Sequence, residues 1–318
     1  GAAVDLTTTV GSVTLPNPIL TASGTSGHGA ELSPYVDLGS LGAVVVKSLS
    51  VEPWAGNPPL RVHETTGGMI NSVGLQGPGV RAWLADDLPP LLDTGARVVA
   101  SIWGRTIAEY EAAAALLADA PAAVVAVEVN LSCPNTEAAR DLFAHSVDDT
   151  RSVIQSTAIC GRPRWAKLSP NTSELVAIAA AAHAAGAEAV TLVNTVLGMA
   201  IDPETGDYRL GSGPRGGGLS GPAIHPIAVR AVHDVHAAMP DLPIVGVGGV
   251  ATGADAAELL LAGASAIQVG TATFADPRAP ALVLRELEVW LSRRTSPSIR
   301  DNVGSAVSSP FSGHRGSE

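Results

Sequence analysis

The chain has 318 residues, of which 46% are apolar, and it carries a formal net charge of −11. This charge argues against nucleic acid or an anionic membrane as the main partner, because both attract basic surfaces. Its two cysteines cannot build a disulfide framework or an ordinary four-thiolate iron–sulfur cluster, and no apolar run reaches the roughly 20 residues that span a bilayer. We therefore expect a cytoplasmic protein whose main partner is a small ligand or another protein.

A predicted β-hairpin at residues 4–15 is followed by short β-rich runs at intervals along the chain. Eight such runs lie at residues 18–22, 43–48, 97–102, 124–131, 163–168, 189–194, 243–246 and 266–270. Most of them are near-continuous apolar runs, which is typical of parallel strands buried on both faces.

Ala-rich helical segments lie between these runs, at residues 107–117, 173–185, 224–238 and 255–261. Ser173 and Thr252 are of the residue types that cap helices, and Pro222 suits a first helical turn. The alternation predicts one α/β domain over residues 1–295, a (β/α)8 TIM barrel with a short N-terminal β-hairpin and long loops over its C-terminal face. Residues 296–318 are polar and rich in Gly and Ser, so we expect a disordered or loosely docked tail.

Two glycine-rich turns follow the last two predicted strands, at residues 246–249 (GVGG) and at Gly270-Thr271. In a (β/α)8 barrel this pair of turns commonly binds a phosphate group. Glycine lets backbone N–H groups approach the phosphate oxygens, and we expect the helix that starts near Thr252 to add a favourable dipole. The alternative is a pair of tight turns with no ligand.

Two lysines end predicted strands, Lys47 the second and Lys167 the fifth, and both follow apolar residues that point them into the barrel mouth. A buried lysine needs a partner. One candidate is a flavin ring, whose reduced form carries negative charge, and the alternative is an ion pair with a barrel carboxylate.

Five asparagines fall in or beside strand-end loops: Asn71, Asn130, Asn135, Asn171 and Asn194. An amide offers both a donor and an acceptor without a charge, so the group suits a flat polar heterocycle. Each one alone could equally be a turn or cap residue, and Asn171 is the strongest case for that role.

Cys133 directly follows the fourth predicted strand, and three interpretations are open for it: a general base, a nucleophile or a small buried hydrophobe. Cys160 is assigned to the last of these. A Cys–His pair would have to be assembled from a distance, with His28, His63, His145 and His225 as candidates. No His/Asp/Glu spacing indicates a metal site.

These residues, with several short stretches around them, resemble the class 1 dihydroorotate dehydrogenases and specifically the class 1B catalytic subunit. Cys133 supports this assignment, because class 2 enzymes carry Ser at this position. The stretch at residues 217–224 (GGLSGPAI) is more similar to class 1B than to class 1A. The other matching stretches span nearly the whole chain: residues 22–24 (ASG), 46–48 (VKS), 56–58 (GNP), 69–76 (MINSVGLQ), 130–135 (NLSCPN), 167–171 (KLSPN), 193–195 (VNT), 246–250 (GVGGV) and 270–271 (GT).

The resemblance implies a set of functional residues, with Cys133 and Lys47 as the catalytic pair. One FMN per chain would bind through Ala22, Ser23, Lys47, Ser48, Asn130, Lys167, Val193, Ser220, Gly221, Gly248, Gly249, Gly270 and Thr271. Dihydroorotate would be held by Lys47, Asn71, Val73, Gly74, Leu75, Asn130, Asn135, Asn194 and Thr195.

The activity implied by the resemblance is the oxidation of (S)-dihydroorotate to orotate in de novo pyrimidine biosynthesis. Cys133 would remove a ring proton while hydride passes from the neighbouring carbon to the flavin, and Lys47 would stabilise charge on the reduced ring. An ordinary thiol pKa of about 8.5 would leave Cys133 mostly protonated at pH 7, so activity is expected to rise with pH. The loop after Asn135 would close to exclude water.

The resemblance also implies a homodimer, and a heterotetramer with an electron-transfer subunit that carries FAD and a [2Fe–2S] cluster and reduces NAD⁺. One stretch departs from the family pattern: residues 136–146, with Phe143-Ala144-His145, stand where a Gly-rich lid is usual. Two alternatives stay open, an FMN oxidoreductase for another dihydropyrimidine and a barrel that binds a phosphate ligand without redox turnover.

Overall fold

The structure, a computed structural model, describes residues 3–133 and 142–309. Its strands are, in chain order, β1 (Thr8–Val10), β2 (Val13–Leu15), β3 (Ile19–Thr21), β4 (Val44–Val45), β5 (Val62–Thr65), β6 (Gly68–Asn71), β7 (Val98–Ile102), β8 (Val124–Asn130), β9 (Arg164–Leu168), β10 (Ala189–Leu192), β11 (Val196–Gly198), β12 (Gly217–Ser220), β13 (Ile244–Val247) and β14 (Ala266–Val269).

Eight of these strands form one parallel sheet in the order β3-β14-β13-β10-β9-β8-β7-β4. The two end strands meet through a parallel bridge between Leu20 and Ala43, and the N–H of Gly42 donates to the carbonyl of Ile19 at 2.8 Å. The sheet therefore closes into a barrel. All eight predicted strands are present, and the predicted (β/α)8 fold is confirmed.

The hairpin of β1 and β2 closes the N-terminal end of the barrel. Its apolar residues Val10, Val13 and Leu15 are buried in a cluster with side chains from the lower barrel, among them Trp165. Because this end is filled by packed side chains, the C-terminal ends of the strands are left as the place for a site.

The helices that surround the barrel agree with the four predicted segments to within two residues. The helices are α1 (Val80–Ala82), α2 (Leu88–Asp93), α3 (Ile107–Leu116), α4 (Val147–Ser156), α5 (Leu175–Ala184), α6 (His225–Ala238), α7 (Gly253–Ala262), α8 (Ala272–Ala275), α9 (Ala279–Ser292), α10 (Ile299–Asn302) and α11 (Ser305–Ser308). A π-helical turn at Trp83–Asp87 joins α1 to α2. Shorter 3₁₀ turns lie at Leu38–Ser40, Phe143–His145, Thr157–Cys160, Gly213–Arg215 and Pro222–Ile224. Among the described helices, none has both the length and the apolar character needed to cross a membrane.

The predicted cap at Thr252 is present as a full capping box with Asp255. The predicted cap at Ser173 is not present. Helix α5 begins after Glu174, whose side chain makes no capping hydrogen bond. Pro222 lies in a 3₁₀ turn that leads directly into α6.

A second sheet, not predicted from the sequence, is built from segments that we expected to be loops. Its strands are antiparallel in the order β11-β12-β6-β5. The last residue of β12, Ser220, accepts a hydrogen bond from the hydroxyl of Thr271 just after β14, at 2.8 Å. This contact joins the second sheet to the C-terminal end of the barrel.

Residues 296–309, the described part of the predicted tail, pack against the barrel. Ile299 is fully buried in the main core cluster, and its N–H donates to the carbonyl of Asp5 at 3.0 Å. The remaining tail, residues 310–318, lies outside the described residues.

Candidate active site

The two glycine turns lie at the C-terminal ends of β13 and β14, as the strand assignment predicts. Gly249 has φ +65°, and a Cβ at this position would lie 2.6 Å from the carbonyl oxygen of Gly221 and 2.8 Å from the Cβ of His225. Gly248 has φ +140°. Side chains larger than hydrogen are therefore excluded from this turn.

The turn at Gly270 lies against the first barrel strand. The N–H of Ala22 donates to the carbonyl of Val269 at 3.0 Å, and a Cβ on Gly270 would lie 3.2 Å from that of Ala22. The N–H groups of Gly249 and Gly270 are used in none of the backbone hydrogen bonds that the described residues make. The structure therefore brings together the two glycine turns and a hydroxyl pair, from Ser220, Gly221, Gly248, Gly249, Gly270 and Thr271, with Ala22 beside them.

At the N-terminus of α7, from which we expected a favourable dipole, the first N–H groups already donate to carboxylates. The carboxylate of Asp255 accepts from the N–H groups of Ala251 and Thr252, at 2.9 and 3.0 Å. The N–H of Gly253 donates to Glu286 at 2.8 Å. Two carboxylates therefore already occupy this helix end.

A connected group of hydroxyl and amide side chains joins the ends of four neighbouring strands. The Asn130 amide donates to the Ser48 hydroxyl at 3.1 Å, and Ser48 lies 2.7 Å from Ser101 and 3.3 Å from Ser23. Asn130 is 7% exposed, and its amide oxygen accepts from the N–H of Ser132 at 3.1 Å. Ser101, in the interior of β7, was not among the predicted residues.

Both lysines lie at the barrel mouth without a carboxylate partner among the described residues. Lys167 is 6% exposed and sits beside Asn130 in the sheet register. Burial lowers the pKa of Lys47, and the nearby guanidinium of Arg61 lowers it further. The buried carboxylate of the barrel interior, Glu128, accepts instead from Thr191 and Gln268 at 3.1 and 2.8 Å.

The alternative of a structural ion pair is therefore wrong for both lysines within the described chain. A further feature of the sequence supports a special role for them. They are the only two lysines in the chain, and all the other residues counted as Lys or Arg are arginines. The compact ammonium group occurs only at the barrel mouth.

Asn71 ends β6 and lies opposite Gly218 of β12 in the sheet register. Its amide donates to the Gly218 carbonyl at 3.4 Å and accepts from the N–H of Val73 at 3.5 Å. Gly74 and Leu75 both have positive φ, +75° and +64°. Residues 71–75 thus form a tight turn that follows the second sheet.

Two further predicted residues, Asn194 and Thr195, follow β10. The N–H of Asn194 donates to the Leu168 carbonyl at 2.9 Å, and the buried Val193 donates to Val247 at 3.0 Å. The Asn171 amide donates to the Thr195 carbonyl at 3.1 Å and accepts from the N–H of Leu197 at 2.9 Å. Asn171 is therefore a turn residue that holds this loop.

Cys133 is fully buried, and its thiol lies 3.5 Å from the carbonyl oxygen of Asn130. The hydroxyl of Tyr110, on α3, donates to the same carbonyl. Burial raises the pKa of the Cys133 thiol to about 12, while hydrogen bonds from Tyr110 and the Gly104 backbone act in the opposite direction. The expectation of an ordinary thiol pKa is therefore wrong.

The surroundings of Cys133 include two aromatic residues that we did not predict. The ring of Phe143 packs edge-on against Tyr110 with centroids 5.3 Å apart, and the N–H of Phe143 donates to the Cys133 carbonyl at 3.0 Å. Tyr110 is the one aromatic residue in α3, whose other residues are mostly alanine. This contrast in the sequence could have pointed to Tyr110 as a site residue. Asn135 and residues 136–141 of the altered lid lie outside the described residues.

Two of the histidines considered as distant partners of Cys133 have other contacts, while the buried Nε2 of His28 has no hydrogen-bond partner among the described residues. His145 lies 2.8 Å from the Ser169 hydroxyl, and His225 lies 2.7 Å from the Gly248 carbonyl. His63 is on β5 of the second sheet. Within the described chain, the hydrogen bonds of the Cys133 thiol involve no histidine. Cys160 is buried at the end of a 3₁₀ turn beside α4, as expected for a small hydrophobe.

Comparison with known proteins places the whole barrel in one family. A family model described as dihydroorotate dehydrogenase matches residues 5–291. The chain is 46% identical to a protein of Desulforudis audaxviator named "Dihydroorotate dehydrogenase B (NAD(+)), catalytic subunit", over 93% of this chain and 96% of that protein. A protein of Alkaliphilus oremlandii with the same name is 44% identical, over 93% of this chain and 96% of its own length.

A third relative carries a different type designation. A protein of Solibacter usitatus named "Putative dihydroorotate dehydrogenase A (fumarate)" is 46% identical, over 94% of this chain and 97% of that protein. The NAD(+)-type name recurs among several further relatives at 42–43% identity, which agrees with the class 1B resemblance. Because the family model covers most of the chain and these relatives match nearly its whole length, the chain belongs to the dihydroorotate dehydrogenase family of oxidoreductases.

Proposed function

We propose that this enzyme oxidises (S)-dihydroorotate to orotate with FMN as its cofactor, a step of de novo pyrimidine biosynthesis in the cytoplasm. The observation that carries the proposal is the buried Lys167, whose ammonium has no carboxylate partner in the described chain and lies beside Asn130. An uncompensated buried cation is costly, so an anionic or strongly polar ligand is the natural partner. A flavin supplies one in its reduced form.

The residues at the barrel mouth fit the two ends of FMN. The phosphate would accept hydrogen bonds from the N–H groups of Gly249 and Gly270 and from the linked hydroxyls of Ser220 and Thr271. The ring would lie over the side where Lys47, Lys167 and the group of Asn130, Ser48 and Ser23 meet. Ala22, Val193, Gly221 and Gly248 would contribute backbone contacts between these ends.

The proposed substrate site uses the same lysine and the amides around it. Dihydroorotate carries one carboxylate and a ring of alternating amide donors and acceptors, which asparagine side chains match without a charge. Lys47 would bind the negative charge of the substrate. The pKa of Lys47 is lowered in the structure, and a bound anion would raise this pKa again. The amides would come from Asn71, Asn130, Asn135 and Asn194, with Thr195 and the backbone of Val73, Gly74 and Leu75.

Bound FMN would supply the acceptor for the hydride that leaves one ring carbon of the substrate. Cys133 would take the proton from the neighbouring carbon, so that two C–H bonds break and one C=C bond forms. The buried thiolate would be scarce but strongly basic, because its pKa is about 12. Tyr110 and the N–H of Gly104 would stabilise it, and Lys47 would stabilise the negative charge that the hydride brings.

The visible spectrum of the purified protein tests this proposal. We expect about one FMN per chain and bleaching of its absorbance when dihydroorotate is added without oxygen. A colourless protein that takes up no FMN would refute the proposal. The altered lid favours one other candidate, oxidation of a different dihydropyrimidine, which bleaching by dihydrouracil but not by dihydroorotate would support.

We further propose that electrons leave through a second subunit. The relatives of Desulforudis and Alkaliphilus are named catalytic subunits, so in those proteins a further subunit is implied. Both cysteines of this chain are buried and unpaired, which leaves no thiolate set for a cluster. The partner would carry FAD and a [2Fe–2S] cluster and bind a homodimer of this chain as a heterotetramer.

A further inference from the structure

Behind the glycine turn of β13 lies a buried histidine with a contact at each ring nitrogen. His225 is 7% exposed, and its Nδ1 lies 2.7 Å from the carbonyl oxygen of Gly248. Its Nε2 lies 3.3 Å from Oε1 of Glu258 and 3.8 Å from Oδ1 of Asp255. The residue begins α6, so its position is set by the helix and by the 3₁₀ turn before it.

Both of these ring contacts are to oxygens that can only accept hydrogen bonds. A backbone carbonyl has no proton to donate, and neither has an ionised carboxylate. The ring nitrogen Nδ1 can therefore donate its N–H to the Gly248 carbonyl, while Nε2 faces the carboxylates of Glu258 and Asp255.

The contact with Gly248 also sets the direction of the next N–H group. The peptide bond between Gly248 and Gly249 is trans, so its C=O and its N–H point to opposite sides. Because His225 holds the carbonyl, the N–H of Gly249 points away from the histidine. That N–H is used in none of the backbone hydrogen bonds among the described residues. Since both residues are glycines, the peptide could rotate if His225 did not hold it. The carbonyl oxygen of Gly248 would then point to the side where the N–H of Gly249 now points.

We propose that His225 is a positioning residue for the cofactor's phosphate group, an inference that rests on the proposed binding of FMN. It fixes the Gly248–Gly249 peptide with the N–H of Gly249 directed at the phosphate. Glu258 and Asp255 face the other ring nitrogen and help to hold the ring in this orientation. A flavin without a phosphate gains nothing from this arrangement.

His225, Asp255 and Glu258 also lie close enough to share a metal ion, with one ligand atom of each within 4.8 Å of the others. Their existing contacts favour the hydrogen-bonded arrangement. One oxygen of Asp255 already accepts from two N–H groups of the α7 cap. Nδ1 of His225 is held by Gly248, and Nε2 faces Glu258 at hydrogen-bond distance.

The test compares the affinity of the apoprotein for FMN and for riboflavin, which lacks the phosphate. In His225→Leu we expect FMN to bind about 10–100-fold more weakly and riboflavin to bind unchanged, the range for leaving a buried acceptor without its donor. His225→Asn keeps an amide N–H that can reach the Gly248 carbonyl, and we expect a smaller loss for FMN. His233→Asn, on the exposed side of the same helix, is the matched control and should bind both flavins normally.

Each outcome separates this inference from the proposed function. Unchanged FMN affinity in His225→Leu, or an equal loss for FMN and riboflavin, would overturn the positioning role while FMN binding by the unaltered chain would still stand. Stoichiometric binding of Zn²⁺ that His225→Leu abolishes would also overturn it, because His225 would then be a metal ligand. An unaltered chain that binds no FMN would overturn both proposals together.

Discussion

Burial raises the pKa of the Cys133 thiol to about 12, although Tyr110 and the Gly104 backbone stabilise its thiolate. If Cys133 is the base, the reaction depends on the small fraction of chains in which it is ionised. That fraction grows about tenfold with each pH unit below the pKa. We predict that anaerobic flavin reduction by dihydroorotate accelerates about tenfold per unit from pH 7 to pH 10, as measured by stopped-flow absorbance.

A rate that levels off near pH 8.5 would contradict this prediction, since it would indicate an ordinary thiol. Cys133→Ala should keep its FMN but reduce it at least about a hundredfold more slowly, the lower end for general-base catalysis. Cys133→Ser should retain slightly more activity at high pH. Cys160→Ala is the matched control, because its thiol is also buried but lies beside α4, and its pH profile should equal that of the unaltered chain.

Replacing Lys167 should change the stability of the apoprotein and the binding of FMN in opposite directions. Its ammonium is buried without a carboxylate partner among the described residues, so the apoprotein bears the cost of that charge. We expect Lys167→Met to stabilise the apoprotein by about 1 kcal/mol or more and to weaken FMN binding by at least about tenfold. Urea unfolding and flavin fluorescence measure the two effects. A destabilised apoprotein would indicate that the lysine has a structural partner.

At the scale of elements, the turn after β13 depends on the absence of a side chain at Gly249. A Cβ there would meet the Gly221 carbonyl at 2.6 Å, and φ is +65°. We predict that Gly249→Ala abolishes FMN uptake, because either the turn or the neighbouring backbone must move. Gly161→Ala is the control for backbone strain, since Gly161 has φ +63° but a Cβ added there would meet no atom within 4 Å. If both variants bind FMN equally well, the close approach at Gly249 has no role in binding.

The second sheet shows where element prediction reached its limit. β5, β6, β11 and β12 have three or four residues each, and β12 begins with two glycines. The glycines give β12 little β propensity, and its pairing with β6 joins residues far apart in sequence, as with Gly218 opposite Asn71. The barrel strands could be predicted because burial on both faces produces apolar runs, whereas this sheet is partly exposed.

At the scale of the whole molecule, the described C-terminal segment belongs to the barrel rather than to a loose tail. Ile299 is fully buried in the main core. We predict that Ile299→Ala lowers the free energy of unfolding by about 2–5 kcal/mol, as expected for a large-to-small change at a buried site. Urea denaturation checks this value. Arg300→Ala, one residue later and exposed, should change it little, and equal effects of the two would contradict docking through Ile299.

Electron exit is also a property of the whole assembly. The described residues form one barrel with a second sheet, and both cysteines are buried and unpaired. We therefore predict that the isolated chain reduces artificial dyes with dihydroorotate but hardly reduces NAD⁺, and that an iron–sulfur flavoprotein partner restores NAD⁺ reduction. The characteristic near-ultraviolet absorbance of NADH measures the difference. Steady NADH formation by the chain alone would contradict the need for a partner, and rapid fumarate reduction would indicate class 1A behaviour.

The sequence by itself determined the order of the eight barrel strands, the positions of the glycine turns and the placement of Lys47, Lys167 and Cys133 at strand ends. These follow from local patterns, since apolar runs, glycines and strand-end polar residues are written in consecutive positions. Only the tertiary structure decided that the lysines have no carboxylate among the described residues and that Cys133 is buried beside Tyr110. It also decided that His225 holds the Gly248 carbonyl. Burial and charge pairing depend on which distant residues meet, and a pKa depends on both.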